Sequence, residues 1–364
     1  MKQILYSAAL LLAAFSGYSQ AYEFQTVKDI KCLPVISQGQ TGTCWSFSST
    51  SFLESEIQRM TGKNIDLSEM YSVRHTYPAK AYNYVMRQGK ANFSEGGLNH
   101  DVINSAKVAG LVPNSVYSGL PSGAQHDHSK LVPVLEKIVK ANTTKPSSTW
   151  QAEVIATLDN HMGKNVTDFT YEGKNYTPAS FLAMTKLDLN AYVTITSFNH
   201  APYYSSFILN IPDNFSNGSF YNLPLDEFIS NIDNALNKGY TVALDADVSE
   251  KTFSGKEGIA VIPANPADSE TILTQIREEQ DISQEFRQAE FENFNTTDDH
   301  LMHIVGKVKD QKGNMYYKVK NSWGTDGKNN GYIYMSVPYM KLKAISVLVH
   351  KDALAAKTRS AIKV

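Results

Sequence analysis

One short stretch carries the parts of a nucleophilic site: Gln38-Gly39-Gln40-Thr41-Gly42-Thr43-Cys44-Trp45-Ser46-Phe47. Here a cysteine opens a helical pattern directly after a glycine-containing turn. A helix N-terminus leaves N–H groups unsatisfied and carries about half a positive charge, which favours thiolate over thiol. The Cys44 N–H can point at an oxyanion, and the Gln38 amide, six residues upstream, can supply a second donor. A thiolate also needs a base, and the base an orienting group. Asp299-His300-Leu301-Met302-His303 opens an apolar run through Gly306, and Asn321-Ser322-Trp323-Gly324 follows one strand later. Strand alternation sends His300 and His303 to opposite faces, so only one can be the base. A neutral Asn can orient an imidazole by hydrogen bonding, with Trp323 shielding that bond from water.

The elements that must position these residues divide into two parts. Residues 44–62 read as a helix stopped by Gly62, 67–71 as a short helix, and 98–110 as a third helix ending in glycine. A mixed stretch from about 122 to 236 has helical patterns near 130–141 and 148–162. Beyond Gly239 come short β-like runs at 241–245, 301–308, 316–319, 332–335 and 344–349, interrupted by a polar helical stretch at 270–291. Residues 22–37 read as an extended lead-in. A helical first part and a β-rich last part make an α+β layout.

The 364 residues include 42% hydrophobic and 19% charged side chains, with a net charge of −2. That suits a folded chain with a sizeable core and excludes a disordered tail or a multispan membrane protein. It also offers no general electrostatic footprint for nucleic acid or anionic lipid. Lys2, the apolar run 4–15, and Ser16, Gly17 and Ser19 have the order of a secretory leader, with cleavage expected after Ser19 or, failing that, Ala21. The run is too short to span a bilayer comfortably, so no membrane anchor is expected. The protein is therefore expected to be exported, to a periplasm or the outside. Only Cys32 and Cys44 are present, and Cys32 reads as a small core residue. His126-Asp127-His128 has no third ligand in view, so no metal is expected there.

These motifs resemble the papain superfamily of cysteine peptidases, in particular its bleomycin hydrolase and aminopeptidase C branch. The Gln-x5-Cys-Trp pattern falls on Gln38, Cys44 and Trp45; the Asp-His start with a glycine six residues on falls on His300 and Gly306; Asn-Ser-Trp-Gly is residues 321–324. Glu95-Gly96-Gly97 resembles the glycine pair that binds substrate backbone. The resemblance runs from about residue 28 to 350. It implies a papain-like two-domain fold, with a helical left domain, a β-rich right domain and the active-site cleft between them. Cys44, His300, Asn321 and Gln38 would be catalytic, with Gly96, Gly97, Trp45, Trp323 and Asp299 facing substrate. The substrates would be peptides, aminopeptidase action being preferred over endopeptidase or amidase action, with no cofactor. A silent binding protein of the same fold is the rival from another class, and the intact Gln/Cys/His/Asn set argues against it.

Two departures bear on the layout. Thr41 stands where simple secreted members have a half-cystine. In this chain 256 residues separate Cys44 from His300, against about 130–150 in simple members, so a large family-type insertion is assigned to about 122–236. The chain is shorter than typical branch members, so the resemblance does not carry over their hexameric ring, and the oligomeric state is left open. The peptidase domain is placed at 20–350, followed by a tail at 351–364. In the branch resembled, a C-terminal arm lies in the cleft; the alternative for these residues is an ordinary frayed terminus.

Overall fold

The computed structural model describes residues 21–120 and 125–364. The leader expected at 1–19 lies outside the described residues. Ten α-helices are present among them: α1 Cys44–Thr61, α2 Glu69–Met86, α3 Asn99–Ala109, α4 Leu131–Thr144, α5 Trp150–Met162, α6 Pro178–Thr185, α7 Leu225–Asn237, α8 Gln284–Glu292, α9 Val337–Lys343 and α10 Ala356–Ile362.

Helix α1 ends as expected, with Gly62 taking the left-handed conformation (φ 72°) and its N–H bonding the Gln58 carbonyl. Its sequence is rich in serine and reads as a poor core helix, yet nearly all of it is buried. Each of four hydroxyls has a partner. Ser46 donates to the Glu69 carbonyl (2.7 Å), Ser48 to the Met302 carbonyl (2.5 Å), Ser49 to the Trp45 carbonyl (2.7 Å), and Ser51 lies 3.0 Å from His303 Nδ1. Small side chains let the strand His300–Lys309 approach α1 closely, and the hydroxyls satisfy the polar groups that this contact buries.

Two expectations for helices need correction. The short helix at 67–71 is the start of the 18-residue α2, capped by Ser68 and continuing through Pro78. Its buried residues Tyr71, Val73, Tyr77 and Ala81 pack into the left core, and that burial outweighs the proline. The polar helix at 270–291 is only a 3-10 turn at Thr271–Leu273 and the later α8.

The main sheet has eleven strands. Its centre is antiparallel, with Ala344–His350 beside Val242–Ala246, then His300–Lys309, Met315–Lys320 and Tyr332–Ser336. The lead-in supplies a strand of its own, Gln25–Asp29, paired antiparallel to His300–Lys309. The insertion serves both halves. Helices α4 and α5 pack beside α2, while Tyr192–Thr196, Ser206–Ile208 and Ser219–Asn222 extend the sheet beyond Ala344–His350. One apolar core gathers α1 to α6; the second lies between the sheet and α7, α9 and α10.

The tail is neither an arm in the cleft nor a frayed end. Helix α10 docks on α7: Asn231 Nδ2 donates to Thr358 Oγ1 (3.0 Å), Thr358 donates to Glu227 (2.6 Å), and Ile362 is buried in the second core. Burial of Leu354 and Ile362 holds these residues in place.

Candidate active site

Cys44 is the first residue of α1, with Thr43 before it accepting the Ser46 and Phe47 N–H groups. Glu95 fixes the preceding turn: its carboxylate accepts the Gly42 N–H at 2.6 Å, and its carbonyl accepts the Trp45 indole N–H at 2.9 Å. The backbone of Leu301 reaches the Cys44 thiol, which puts the start of the His300 strand against the helix N-terminus.

His300 Nε2 lies 2.7 Å from Asn321 Oδ1. The same oxygen accepts the Ser322 N–H at 2.8 Å, which identifies it as oxygen and makes the imidazole the donor. His300 therefore carries its proton on Nε2 and keeps the Nδ1 lone pair. The Trp323 ring stacks on the imidazole at 4.6 Å and 30°, covering it from solvent, though the indole itself is 46% exposed.

Gln38 is bound to the same loop across the cleft. Its Oε1 accepts from Ser322 Oγ (2.6 Å), its N–H bonds the Ser322 carbonyl (2.8 Å), and its Nε2 donates to the Thr41 carbonyl (2.6 Å). An amide nitrogen has two hydrogens, so one remains for an oxyanion. His303 points away, as strand alternation requires. It is buried, bonded to Ser51 through Nδ1, with Nε2 unpaired beside the Lys320 ammonium.

The electrostatics differ from the expectation of a resting thiolate. Burial, with Asp213 and Asp298 adding to it, pushes the Cys44 thiol up to about 12, and the Leu301 and Trp45 backbone offsets this only in part. Burial likewise pulls the His300 imidazole down to about 4, against the bond to Asn321. Desolvation disfavours the charged form of each, and the two groups rest neutral.

The residues expected to face substrate separate into two sets. Trp45 is fully buried and forms the floor beneath Gly97, whose added Cβ would stand 3.1 Å from its ring. It is a support and has no surface for substrate. Asp299 turns aside, accepting from Thr297 Oγ1 (2.6 Å) beside Asp247, and its neighbour Asp298 is the one whose charge reaches Cys44. At Gly96 the Asp213 carboxylate lies directly against the position a Cβ would take. Asp213 had no signal in the sequence: Ile211-Pro212-Asp213-Asn214 reads as an ordinary turn.

The remaining candidates have local partners, and Cys32, expected as a core residue, lies outside the apolar cores. His128 is buried against Tyr77 (3.0 Å), and Asp127 caps the Ser129 N–H, so His126-Asp127-His128 do not converge. Cys32 and Cys44 are both free; Cys32 is half-buried, with its sulfur 3.6 Å from the Tyr332 hydroxyl. Among the described residues no helix is long and apolar enough to cross a membrane.

The model of the Peptidase C1-like family matches residues 134–364, well over half of the chain. The chain belongs to the Peptidase C1-like family. The Papain family cysteine protease model matches residues 19–192, so the two together take in both sides of the cleft. Among curated relatives, aminopeptidase G of Lactobacillus delbrueckii subsp. lactis is 25% identical, across 88% of this chain and 81% of its own. Aminopeptidase C of Lactococcus lactis subsp. cremoris is 23% identical over the same shares. The crystal structure of PepW from Lactobacillus rhamnosis HN001 superimposes with a TM-score of 0.73 at 19% identity, covering 93% of this chain and 84% of that one. This Peptidase C1-like chain thus has the two-domain papain fold and is a cysteine peptidase.

Proposed function

We propose that the protein is an aminopeptidase in which Cys44 is the nucleophile, His300 the base and Asn321 its orienting partner. The observation that carries this is the Asn321 oxygen held between the Ser322 N–H and His300 Nε2, which leaves Nδ1 free to take the thiol proton. Because both groups rest neutral, that transfer accompanies attack on the peptide carbonyl. The Cys44 N–H and the spare Gln38 hydrogen stabilise the tetrahedral oxyanion. His300 then protonates the leaving amine, and water, activated by the same imidazole, hydrolyses the thioester. Preference for free N-termini is supported by the aminopeptidase relatives. Peptides are the proposed substrates.

Labelling with a thiol-reactive epoxide and turnover of free and N-acetylated peptides test this. Cys44→Ala should lose both label and turnover while staying folded. A folded Cys44→Ala that still turns over peptide would refute the assignment. Export follows from residues 2–19 as a second part of the proposal. N-terminal sequencing of the protein from a secreting host should find a start at residue 20 or 22; an intact Met1 on exported-fraction protein would refute it.

A further inference from the structure

Residues 39–43 form no helix or strand, yet the Gln38 amide and the Cys44 thiol hang from the two ends of this loop. Contacts on three sides hold it. On its outer side Gln40 donates to the His126 carbonyl (2.8 Å) and accepts the His128 N–H (3.2 Å). Within the loop, Thr41 Oγ1 donates to the Gln38 carbonyl (2.9 Å) and lies 2.6 Å from the Thr43 hydroxyl. The third side is Glu95, from the segment between α2 and α3.

Glu95 grips the chain on both sides of Cys44. Its Oε2 accepts the N–H of Gly42, two residues before, and its carbonyl accepts the indole N–H of Trp45, one residue after. A side chain at 42 would not fit, since a Cβ there would stand 2.9 Å from the Glu95 Cβ. Among the described residues no Lys or Arg comes within 4.0 Å of the carboxylate. His128 Nδ1 is 3.8 Å away and lies 3.0 Å from the Tyr77 hydroxyl. The short bond to Gly42 acts on a single peptide unit. The Gly42 N–H and the Thr41 carbonyl share one rigid plane. Gln38 Nε2 donates to that carbonyl at 2.6 Å, and Glu95 takes the N–H at 2.6 Å. A plane bonded at both ends cannot turn without breaking a bond, and the carboxylate strengthens the series by polarising it.

We propose that Glu95 is a positioning residue for the oxyanion hole, acting through the Thr41–Gly42 peptide to fix the direction of the Gln38 amide. This rests on the reading of Cys44 as nucleophile and Gln38 as oxyanion donor. Glu95 moves no proton and acts only through the groups it bonds. Without its carboxylate the peptide plane is held at the carbonyl end alone, and the Gln38 amide bonded to that carbonyl shares its freedom. The second amide hydrogen then no longer has a fixed direction, and a displacement of about 1 Å at such a donor can cost on the order of 10²-fold in rate.

The test compares the wild type with Glu95→Ala, Glu95→Gln, Gln38→Ala and the Glu95→Ala/Gln38→Ala double variant. Three quantities are read: turnover of a peptide amide, affinity for a peptide aldehyde, and alkylation of Cys44 by iodoacetamide. The aldehyde adds the thiol as a hemithioacetal and places its oxygen in the hole, whereas alkylation forms no oxyanion. Glu95→Ala should lose about 10- to 100-fold in kcat and in aldehyde affinity together, with alkylation within about twofold of wild type. Glu95→Gln keeps an acceptor for the Gly42 N–H and should recover most of both. In the double variant Glu95→Ala should add less than about threefold to the loss from Gln38→Ala, because the donor it orients has already gone. An unaffected Glu95→Ala, losses that multiply in the double variant, or alkylation that slows in step with turnover would each overturn the proposal. Undiminished aldehyde affinity in Gln38→Ala would instead refute Gln38 as the donor, and the role of Glu95 with it. If Glu95→Ala does not fold, Glu95→Asp, one methylene too short to keep the Gly42 bond, takes its place in every comparison.

Discussion

At the scale of single residues, the site depends on groups whose partners differ although their chemistry is alike. Gln38→Ala should lower kcat by about 10²–10³, the usual effect of losing one oxyanion donor. It also removes the acceptor for Ser322 Oγ, so Gln38→Glu, which keeps the acceptor and loses the donor, separates the two roles. A loss below threefold in both would show that Gln38 does not face the intermediate. The two histidines make a second contrast. His300→Ala should abolish turnover in a folded protein. His303→Ala should keep most of kcat and lose about 1–3 kcal/mol of stability, because it empties a buried site and leaves Ser51 bonded to the Lys320 ammonium alone. Equal losses of kcat in two folded variants would contradict the assignment. The residues proposed to do chemistry stood out in the sequence because each sits at an element boundary with a motif around it. The contact of Asp213 with Gly96 did not, because a turn lands there from 117 residues later in the chain and no local pattern encodes that.

Elements tell a similar story. The strands after Gly239 were readable within a residue or two, since alternation is written locally. Helix α2 was read far too short because Pro78 and its tyrosines mask the period that burial imposes. The division of residues 122–236 between left helices and right strands was not legible, because pairing partners such as Val193 and Val349 are far apart in sequence. The C-terminal element is open to a direct measurement. Deleting residues 356–364 removes α10 with its Thr358 and Ile362 contacts and should lower the thermal midpoint by several degrees, as about 1–3 kcal/mol would. The ratio of free to N-acetylated peptide cleavage should not change. A rise in blocked-peptide cleavage would mean that the tail gates the cleft after all.

For the whole molecule, buried acids and buried imidazoles set opposite pH trends. Glu279, half-buried where it accepts from the Ile262 N–H (2.9 Å) and the Ser336 hydroxyl (2.5 Å), has its carboxyl raised to about 7 by desolvation. The folded protein keeps that proton where the unfolded chain releases it. Its contribution is therefore full below about 4.5 and lost as pH rises through about 7. His300, held neutral by burial, contributes fully above about 6.5 and loses stability as pH falls toward about 4, and His303, lowered by burial and the Lys320 charge, acts in the same direction. Glu279→Gln isolates the first trend. Relative to this variant, the wild type should lose about 1–3 kcal/mol between pH 5 and pH 8 in urea unfolding. A difference that stays constant with pH would show that Glu279 is ionised throughout.

The pairing of Gln25 with Lys309 has a consequence for how the protein is made. A ribosome delivers the first of these strands long before the second exists. Until the chain is nearly complete, the Gln25–Asp29 edge and the serine-lined face of α1 have no partner to cover them. The right-hand sheet, which needs both ends of the chain, closes last and across a long loop, the kind of contact that folds slowly and exposes aggregation-prone edges meanwhile. The catalytic pair is assembled by that same closure, since Cys44 belongs to the early half and His300 to the late one. A nascent chain therefore cannot bring Cys44 and His300 together before residue 300 has been made and has emerged.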